Sequence, residues 1–364
     1  MKIIIPKEIK NNEFRVGLTP SSVKQLCNDG HEIFVENNAG IGIGYSNNHY
    51  ELSGASIVDN RSDLFKKGEL IIKVKEPIPE EFQYLNSSHT LFTYLHLAAN
   101  MSQAKELAKT GVRAIAYETI TSDLGNLPLL APMSSIAGQI SIVVGSYFLL
   151  KPNKGLGVMF GEFIGIDKRI VTVIGAGVAG TEAIKKALAN NAHVKVIDLS
   201  EQRLNELRDQ LGDENIEYIV SSRETIIDAL SVSDLVIGCV YVIGKEAPKV
   251  ITEDMLSVMK EGSVIVDISI DQGGCIESSR PTTHDEPIFI KNGVVHYCVT
   301  NMPGAVPLTA TEALNQATLS YIHELADKGI DQALAQNAHL ANGLNIQNGK
   351  AIHPAIREAM GLDS

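Results

Sequence analysis

A chain of 364 residues, 44% hydrophobic and 20% charged, is too long for one ordinary core and suggests two globular domains of about 150 to 200 residues each. Its net charge of −12 and pI near 5.3 leave no basic footprint for nucleic acid or an anionic membrane, so an anionic ligand must be met by local positive groups. Cys27, Cys239, Cys275 and Cys298 lack CxxC spacing and the histidines form no HExxH, which argues for reduced, buried thiols and against a disulfide framework or a zinc site.

The opening "MKIIIPKEIK" holds three isoleucines before a proline and charges, too short for a secretory or membrane-spanning segment, so a cytoplasmic protein is expected. Strand and helix signals then alternate. "KIIIP" reads as a strand, "TPSSVKQLCNDG" as a helix with a Ser cap and a terminal Gly, and "HEIFVE", "ELIIKVKEP" and "TLFTYLHLA" as strands. A helix over "SQAKELAKTG" and a strand at "VRAIAYET" close this first series. Within "IIKVKEP", alternation sets Ile72 and Val74 on one face and Lys73 and Lys75 on the other. Two ammonium groups on one face mean either an edge strand defended by lysines or an anion site.

The uncharged stretch 124–150 contains Gly, Pro, Ser and Gln and suits a buried helix between domains better than lipid. A second series starts near Arg169 with "RIVTVIGAG" and continues through "HVKVIDLS", "IEYIVSS", "DLVIGCV", "SVIVDISID" and "GVVHYCVTNMP". From about Thr309 the chain reads as helices interrupted by a polar turn at "ANGLNIQNGK", and returns to pack on the first unit. The fold class expected is α/β, with two Rossmann-like doubly wound parallel-sheet domains and an active-site cleft between them. Residues 1–128 with 308–364 make the discontinuous substrate domain, and 129–307 the nucleotide domain.

In "VTVIGAGVAGTEAIKKALANNAHVKVIDLS", Gly175, Gly177 and Gly180 form GxGxxG directly after a strand and before a helix, the context that makes this motif informative. Gly175 permits the tight turn, Gly177 lets the backbone approach a pyrophosphate, and Gly180 lets the helix sit close to the strand. Helix N-terminal N–H groups and the dipole favour the phosphates. Asp198, 18 residues beyond Gly180, suits ribose hydroxyls and repels a 2′-phosphate, favouring NAD, although Arg203 nearby is the kind of residue that accommodates that phosphate. Past other strand ends lie His96 in "LFTYLHLAAN" and Asp271 in "VIVDISIDQGGC", with Arg15 in "NNEFRVGLTP". Each has an ordinary explanation as a core histidine, a turn aspartate and a surface arginine. Together with Lys75 they make a guanidinium, an ammonium, an imidazole and a carboxylate, the set needed to hold a small carboxylate and shuttle protons beside a hydride acceptor.

Long strings, among them "NNEFRVGLTP", "IIKVKEPI", "LFTYLHLA", "LPLLAPMS", "VIGAGVAG", "VDISIDQGGCIESSRPTTHDEP" and "NMPGAVPLTAT", give the chain a resemblance to the alanine dehydrogenase family, related to the NAD-binding subunit of proton-translocating transhydrogenase. The resemblance implies a hexameric cytoplasmic enzyme interconverting L-alanine, NAD⁺ and water with pyruvate, ammonium and NADH. By position, Arg15 resembles the substrate-carboxylate arginine, Lys75 the substrate-binding lysine, His96 the general acid/base and Asp271 the second catalytic residue; Lys73 stays structural. Carried over as cofactor contacts are Ser134, Val178, Ala179, Asp198, Arg203, Ser221, Val240, Tyr241, Ile268, Ser269, Ile270, Asp271, Arg280, Val299, Thr300, Asn301 and Met302. The family's described magnesium site pairs a glutamate with a histidine of the late helix; here "HELADKG" keeps Glu324 but has Lys328 in the histidine's place, so no metal is expected. Against the transhydrogenase subunit or a non-catalytic NAD-binding protein stands the retention of Lys75, His96 and the other polar groups.

Overall fold

The computed structural model describes residues 1–242 and 246–362. It divides into two units, Met1–Met133 with Gly304–Ser364 and Ser134–Pro303. In chain order the strands are β1 (Lys2–Ile5), β2 (Glu32–Glu36), β3 (Ser56–Val58), β4 (Leu70–Ile72), β5 (Thr90–Thr93), β6 (Arg113–Ala116), β7 (Ile170–Ile174) and β8 (His193–Asp198). There follow β9 (Ile216–Val220), β10 (Leu235–Gly238), β11 (Val264–Asp267), β12 (Ile288–Lys291), β13 (Val294–Tyr297), β14 (Leu344–Gln347) and β15 (Lys350–Ala351).

The first unit carries an eight-stranded sheet in the order β15-β14-β6-β5-β4-β1-β2-β3. Strands β1 to β6 pair in parallel. Continuous apolar runs such as "LII" in β4 suit strands covered on both faces, and every residue of β4 and β5 is buried. On one face Ile4, Ile71, Leu91 and Ala114 pack with Leu64, Leu107 and Ile346 in a single core. The first helix, Pro20–Asn28, is capped by Thr19, whose side chain accepts the Ser22 N–H, with Pro20 at its first position; the cap is this threonine and not a serine.

The second unit holds a seven-stranded sheet in the order β12-β13-β11-β10-β7-β8-β9. The order reverses between β7 and β10, both parallel, which makes their carboxyl ends a topological switch point. Helix Ala131–Phe148 contributes Ile142 and Phe148 to a core with Val171, Val173, Leu235 and Ile237. Its Gly145 lies so close to Leu235 that an added Cβ would come within 2.5 Å of that side chain.

Both sheets are mixed rather than purely parallel. Strand β12 runs antiparallel to β13, and the polar turn expected around "ANGLNIQNGK" is a hairpin, β14 and β15, added antiparallel to β6. The short β3 and the half-buried β12 are also absent from the sequence reading, because each is an edge strand of only three or four residues, too short to set an alternation. No helix among the described residues is long and apolar enough to cross a membrane.

Candidate active site

In the first unit, Arg15, Lys75 and His96 lie on segments that leave the carboxyl ends of neighbouring strands β1, β4 and β5. Two contacts draw the Arg15 and Lys75 segments together. Gly17 passes so close to the end of β4 that a Cβ there would sit 2.5 Å from the Ile72 oxygen. Glu8 spans the same gap, its Oε1 accepting the N–H groups of Val74 at 2.7 Å and Lys75 at 3.2 Å. The Thr93 hydroxyl, at the end of β5, donates to the Lys75 carbonyl at 3.0 Å.

The alternation read through Lys75 does not hold. Strand β4 stops at Ile72, and Lys73, Val74 and Lys75 are all buried in a bend beyond it. Lys73, 1% exposed, lies with its ammonium 3.0 Å from both Glu8 and Glu81. Burial works against its charge, but these two carboxylates hold its pKa above the ordinary value. Arg61 extends the cluster to Glu36 and Glu81. The Lys75 ammonium makes only a long 3.9 Å approach to Glu76. The two lysines therefore separate, Lys73 into an internal ion cluster and Lys75 outside it.

Arg15, 2% exposed, turns its Nε and Nη2 to Glu13 at 2.7 and 2.6 Å, and its Nη1 meets the Met133 sulfur at 3.2 Å. Burial opposes the guanidinium charge, and Glu13 offsets it so that the pKa rises. The ordinary alternative, a surface arginine, does not hold: the guanidinium is buried and its Nε–Nη2 edge is taken by Glu13.

His96 does not sit on a strand. Strand β5 ends at Thr93, and His96 adopts φ 48° and ψ 35° immediately before the 3₁₀ turn Leu97–Ala99. Its ring stacks on Tyr94, with centroids 5.9 Å apart and planes 9° from parallel. Burial holds the Tyr94 phenol well above its ordinary pKa, so it stays a proton donor, here to the Leu129 carbonyl.

In the second unit the three glycines differ as their expected roles require. Gly175 has φ +99°, and a Cβ would lie 2.7 Å from the Cys239 oxygen, across the switch point. At Gly180 a Cβ would fall 1.9 Å from the Gly175 oxygen. At Gly177 it would meet nothing within 4 Å. Gly177 is the N-cap of helix Val178–Ala189 and has no side chain to satisfy the first-turn N–H groups, including those of Val178 and Ala179. That open, amide-lined approach fits a dinucleotide pyrophosphate. Ser134 sits one turn before Gly138 on the same helix face, and Gly138 is pressed against Ala179, where a Cβ would be 2.1 Å from its oxygen.

Asp198 ends β8 and accepts the N–H groups of Ala176 at 2.7 Å and Ser200 at 2.8 Å, fastening the glycine loop. Arg203 grips the same loop, donating to the Ala176 carbonyl at 2.8 Å and to the Thr181 hydroxyl at 2.9 Å, and pairs with Glu206 at 3.1 Å. Ser221 follows β9 and donates its N–H to the Asp198 carbonyl at 2.9 Å. Val240 and Tyr241 follow β10, and the Ser269 hydroxyl donates to the Val240 carbonyl at 2.8 Å. Val299, Thr300, Asn301 and Met302 come after β13, and the Arg280 guanidinium lies 4.4 Å over the Phe289 ring.

The strand expected to reach Asp271 ends earlier, at Asp267; Ile268 to Gln272 form a 3₁₀ turn. Asp267 is fully buried and accepts N–H groups from Ser269, Cys275 and Ile276 at 3.1 to 3.3 Å, folding the loop that carries Ile268, Ser269, Ile270 and Asp271. Asp271 accepts the Asn301 N–H, with Asn301 itself at φ 60°. Glu324 receives Lys328 at 2.9 Å and Asn337 at 2.8 Å, and no metal-ligand cluster occurs among the described residues.

Sequence reasoning passed over Glu8, Glu13, Glu118, Tyr94 and Asp267. The available signal was an acidic or phenolic residue inside apolar strand-end strings, "IPKEI", "LFTYL" and "VIVDIS" among them, where a lone polar group is costly without a partner.

Family models described as alanine dehydrogenase/PNT, N-terminal domain and C-terminal domain match residues 4–137 and 141–354. The chain is 49% identical over 363 residues to the alanine dehydrogenase of Halomonas elongata, covering 100% of this chain and 98% of that one. It is 46% identical over 364 residues to that of Bacillus subtilis, covering 100% and 96%. Among solved structures an L-alanine dehydrogenase, 44% identical, superposes with a TM-score of 0.94 over 99% of both chains. A transhydrogenase from Sinorhizobium meliloti, 23% identical with a TM-score of 0.81 over 98% of this chain and 100% of that one, shares the fold. With both family halves matched in order and full-length relatives near half identity, the chain belongs to the alanine dehydrogenase/PNT family.

Proposed function

We propose that this protein is an NAD-dependent L-alanine dehydrogenase, catalysing reversible oxidative deamination of L-alanine to pyruvate and ammonium. Full-length identity to alanine dehydrogenases carries this reading, and the open Gly177 approach beside Asp198 supports its cofactor. A bound NAD⁺ supplies the hydride acceptor. The 129–307 region is its binding domain, and residues 1–128 with 308–364 carry the substrate groups. The nucleotide contacts are Gly175, Gly177, Gly180, Asp198 and Arg203 with the other residues carried over by resemblance.

Arg15, its charge held by Glu13, receives the substrate carboxylate and so orients the Cα–H bond. Lys75, buried with only a distant acidic neighbour, polarises the developing carbonyl or imine. His96 transfers the protons of the carbinolamine when water adds to the imine, and Asp271 supports charge as ammonia leaves. The protein is proposed to be cytoplasmic and to assemble as a homohexamer. Exposed apolar residues in the second unit suit such assembly: Val143 and Tyr147 lie one turn apart on helix Ala131–Phe148, with Leu150 just past its end and Phe163, Ile164 and Ile166 further on.

The test is NADH formation with L-alanine, and NADH consumption with pyruvate and ammonium, with D-alanine and glycine as controls. His96→Ala is expected to lower kcat by about 10²–10⁴-fold, the range of a lost general acid/base. An inactive wild type, or full turnover by both His96→Ala and Lys75→Ala, defeats the assignment.

A further inference from the structure

Glu118 follows β6 in the 3₁₀ turn Tyr117–Thr119 and is buried. Its carboxylate reaches back over the end of the neighbouring strand β5. There it accepts the His96 N–H at 2.6 Å and the Leu95 N–H at 3.2 Å from each of its oxygens. Two successive backbone N–H groups converging on one anion form a nest, which arises where the chain passes through the left-handed region. His96 is in that region, an uncommon place for a residue with a side chain, and one that persists only where the surroundings over-determine it.

Those surroundings are visible. Leu95 and Leu97 on either side are each 1% exposed, and helix Pro354–Ala359 packs against the turn that follows. The imidazole itself is half-buried and lies on Tyr94. A backbone continuing the strand in place of φ 48° would change the direction in which the Cα–Cβ bond leaves the chain at residue 96. The conformation at His96 therefore decides where the ring goes, and one carboxylate accepts both N–H groups that the conformation exposes.

We infer that Glu118 is a positioning residue for the reaction, holding the His96 backbone in its left-handed conformation so that the imidazole keeps its place against Tyr94. This rests on the reading of His96 as the acid/base group. Glu118 acts through the backbone: one of its oxygens accepts both N–H groups and the other accepts that of Leu95. A glutamine at this position can keep an oxygen at the Oε1 place, but it removes the negative charge and sets an NH2 group where Oε2 accepts the Leu95 N–H.

Glu118→Gln, Glu118→Asp and His96→Ala are compared with wild type in reductive amination of pyruvate with ammonium and NADH, with NADH affinity followed by fluorescence. Glu118→Gln is expected to lower kcat by about 10²-fold, the cost of displacing a catalytic group by roughly 1 Å. The KM for pyruvate moves far less, NADH affinity is unchanged, and the pH profile of kcat departs from that of wild type. Glu118→Asp, which keeps two acceptor oxygens on a shorter arm, recovers part of the loss and serves alone if the glutamine variant does not fold. A Glu118→Gln protein with wild-type kcat and pH profile, or one that is merely less stable with normal turnover per folded site, overturns the inference while leaving His96 in its role. Full turnover by His96→Ala removes both.

Discussion

The two units place their candidate residues at the carboxyl ends of parallel strands, but they hold them by different means. In the first, each of Arg15, Lys75 and His96 is tied by a buried glutamate: Glu13 to the guanidinium, Glu8 to the Lys75 N–H, and Glu118 to the His96 N–H. In the second, the glycine loop is shaped by what a side chain would strike, from open space at Gly177 to 1.9 Å at Gly180. Of the three, only Glu13 meets a side-chain charge, while Glu8 and Glu118 accept backbone N–H groups and so fix where the segments run. A long cofactor is met mostly by backbone, and backbone approach is limited by sterics.

The comparison breaks most sharply at Lys73. Lys73→Met leaves Glu8 and Glu81 buried without their shared cation and is expected to cost about 3–5 kcal/mol in urea unfolding. Replacing Glu8 and Glu81 by apolar or neutral residues together with Lys73 should return much of that. A single variant as stable as wild type would mean that charge does not hold the first unit.

Next come the glycines. Gly180→Ala drives a methyl group into the Gly175 oxygen and is expected to destabilise by about 3 kcal/mol or more. Gly177→Ala should melt like wild type without ligand yet bind NADH weakly, because its methyl group fills only the open approach. Equal effects of the two on the ligand-free melting temperature would contradict the division of roles.

Cofactor choice gives a smaller signal. With Asp198 presenting its carboxylate and Arg203 spent on the glycine loop and Glu206, NADP⁺ brings a phosphate to an acid. Several kcal/mol of like-charge cost makes kcat/KM for NADP⁺ at least about 10²-fold below that for NAD⁺. Comparable values for both cofactors would show Arg203 turning outward to the ligand.

The smallest effect should be common to both units. Burial lowers the pKa of His89 in the first unit and of His296 in the second, against an unfolded value of about 6.5. Below that pH the unfolded chain binds protons that the folded one refuses, so stability is full above about 6.5 and falls as pH drops. Thermal melts from pH 7.5 down to 5 should show the decline, and His296→Gln should reduce its slope. A melting temperature that rises on acidification would reverse the sign.

The glycine motif and Asp198 were legible because their meaning is local: strand, turn and helix follow one another, and the spacing suffices. Most central strands were legible for a similar reason, since burial on both faces demands an unbroken apolar run. Strand ends were less so. Lys75, His96 and Asp271 all lie past the ends of strands whose apolar pattern runs on beside them, because Val74, Leu95 and Ile270 beyond those ends are buried too. The β14–β15 hairpin escaped because its partner β6 lies far away in the chain and its own residues are largely polar.

From residue order alone came the α/β class, the two nucleotide-fold series, the cofactor loop and the names of the groups suited to the chemistry. The tertiary structure alone decided which acid answers which base. Glu8 stands 65 residues from Lys73, and Glu118 stands 22 from His96. A buried carboxylate is stable only where a cation or N–H groups meet it, and that neighbour is chosen by how the strands are ordered in the sheet, which no spacing along the chain encodes.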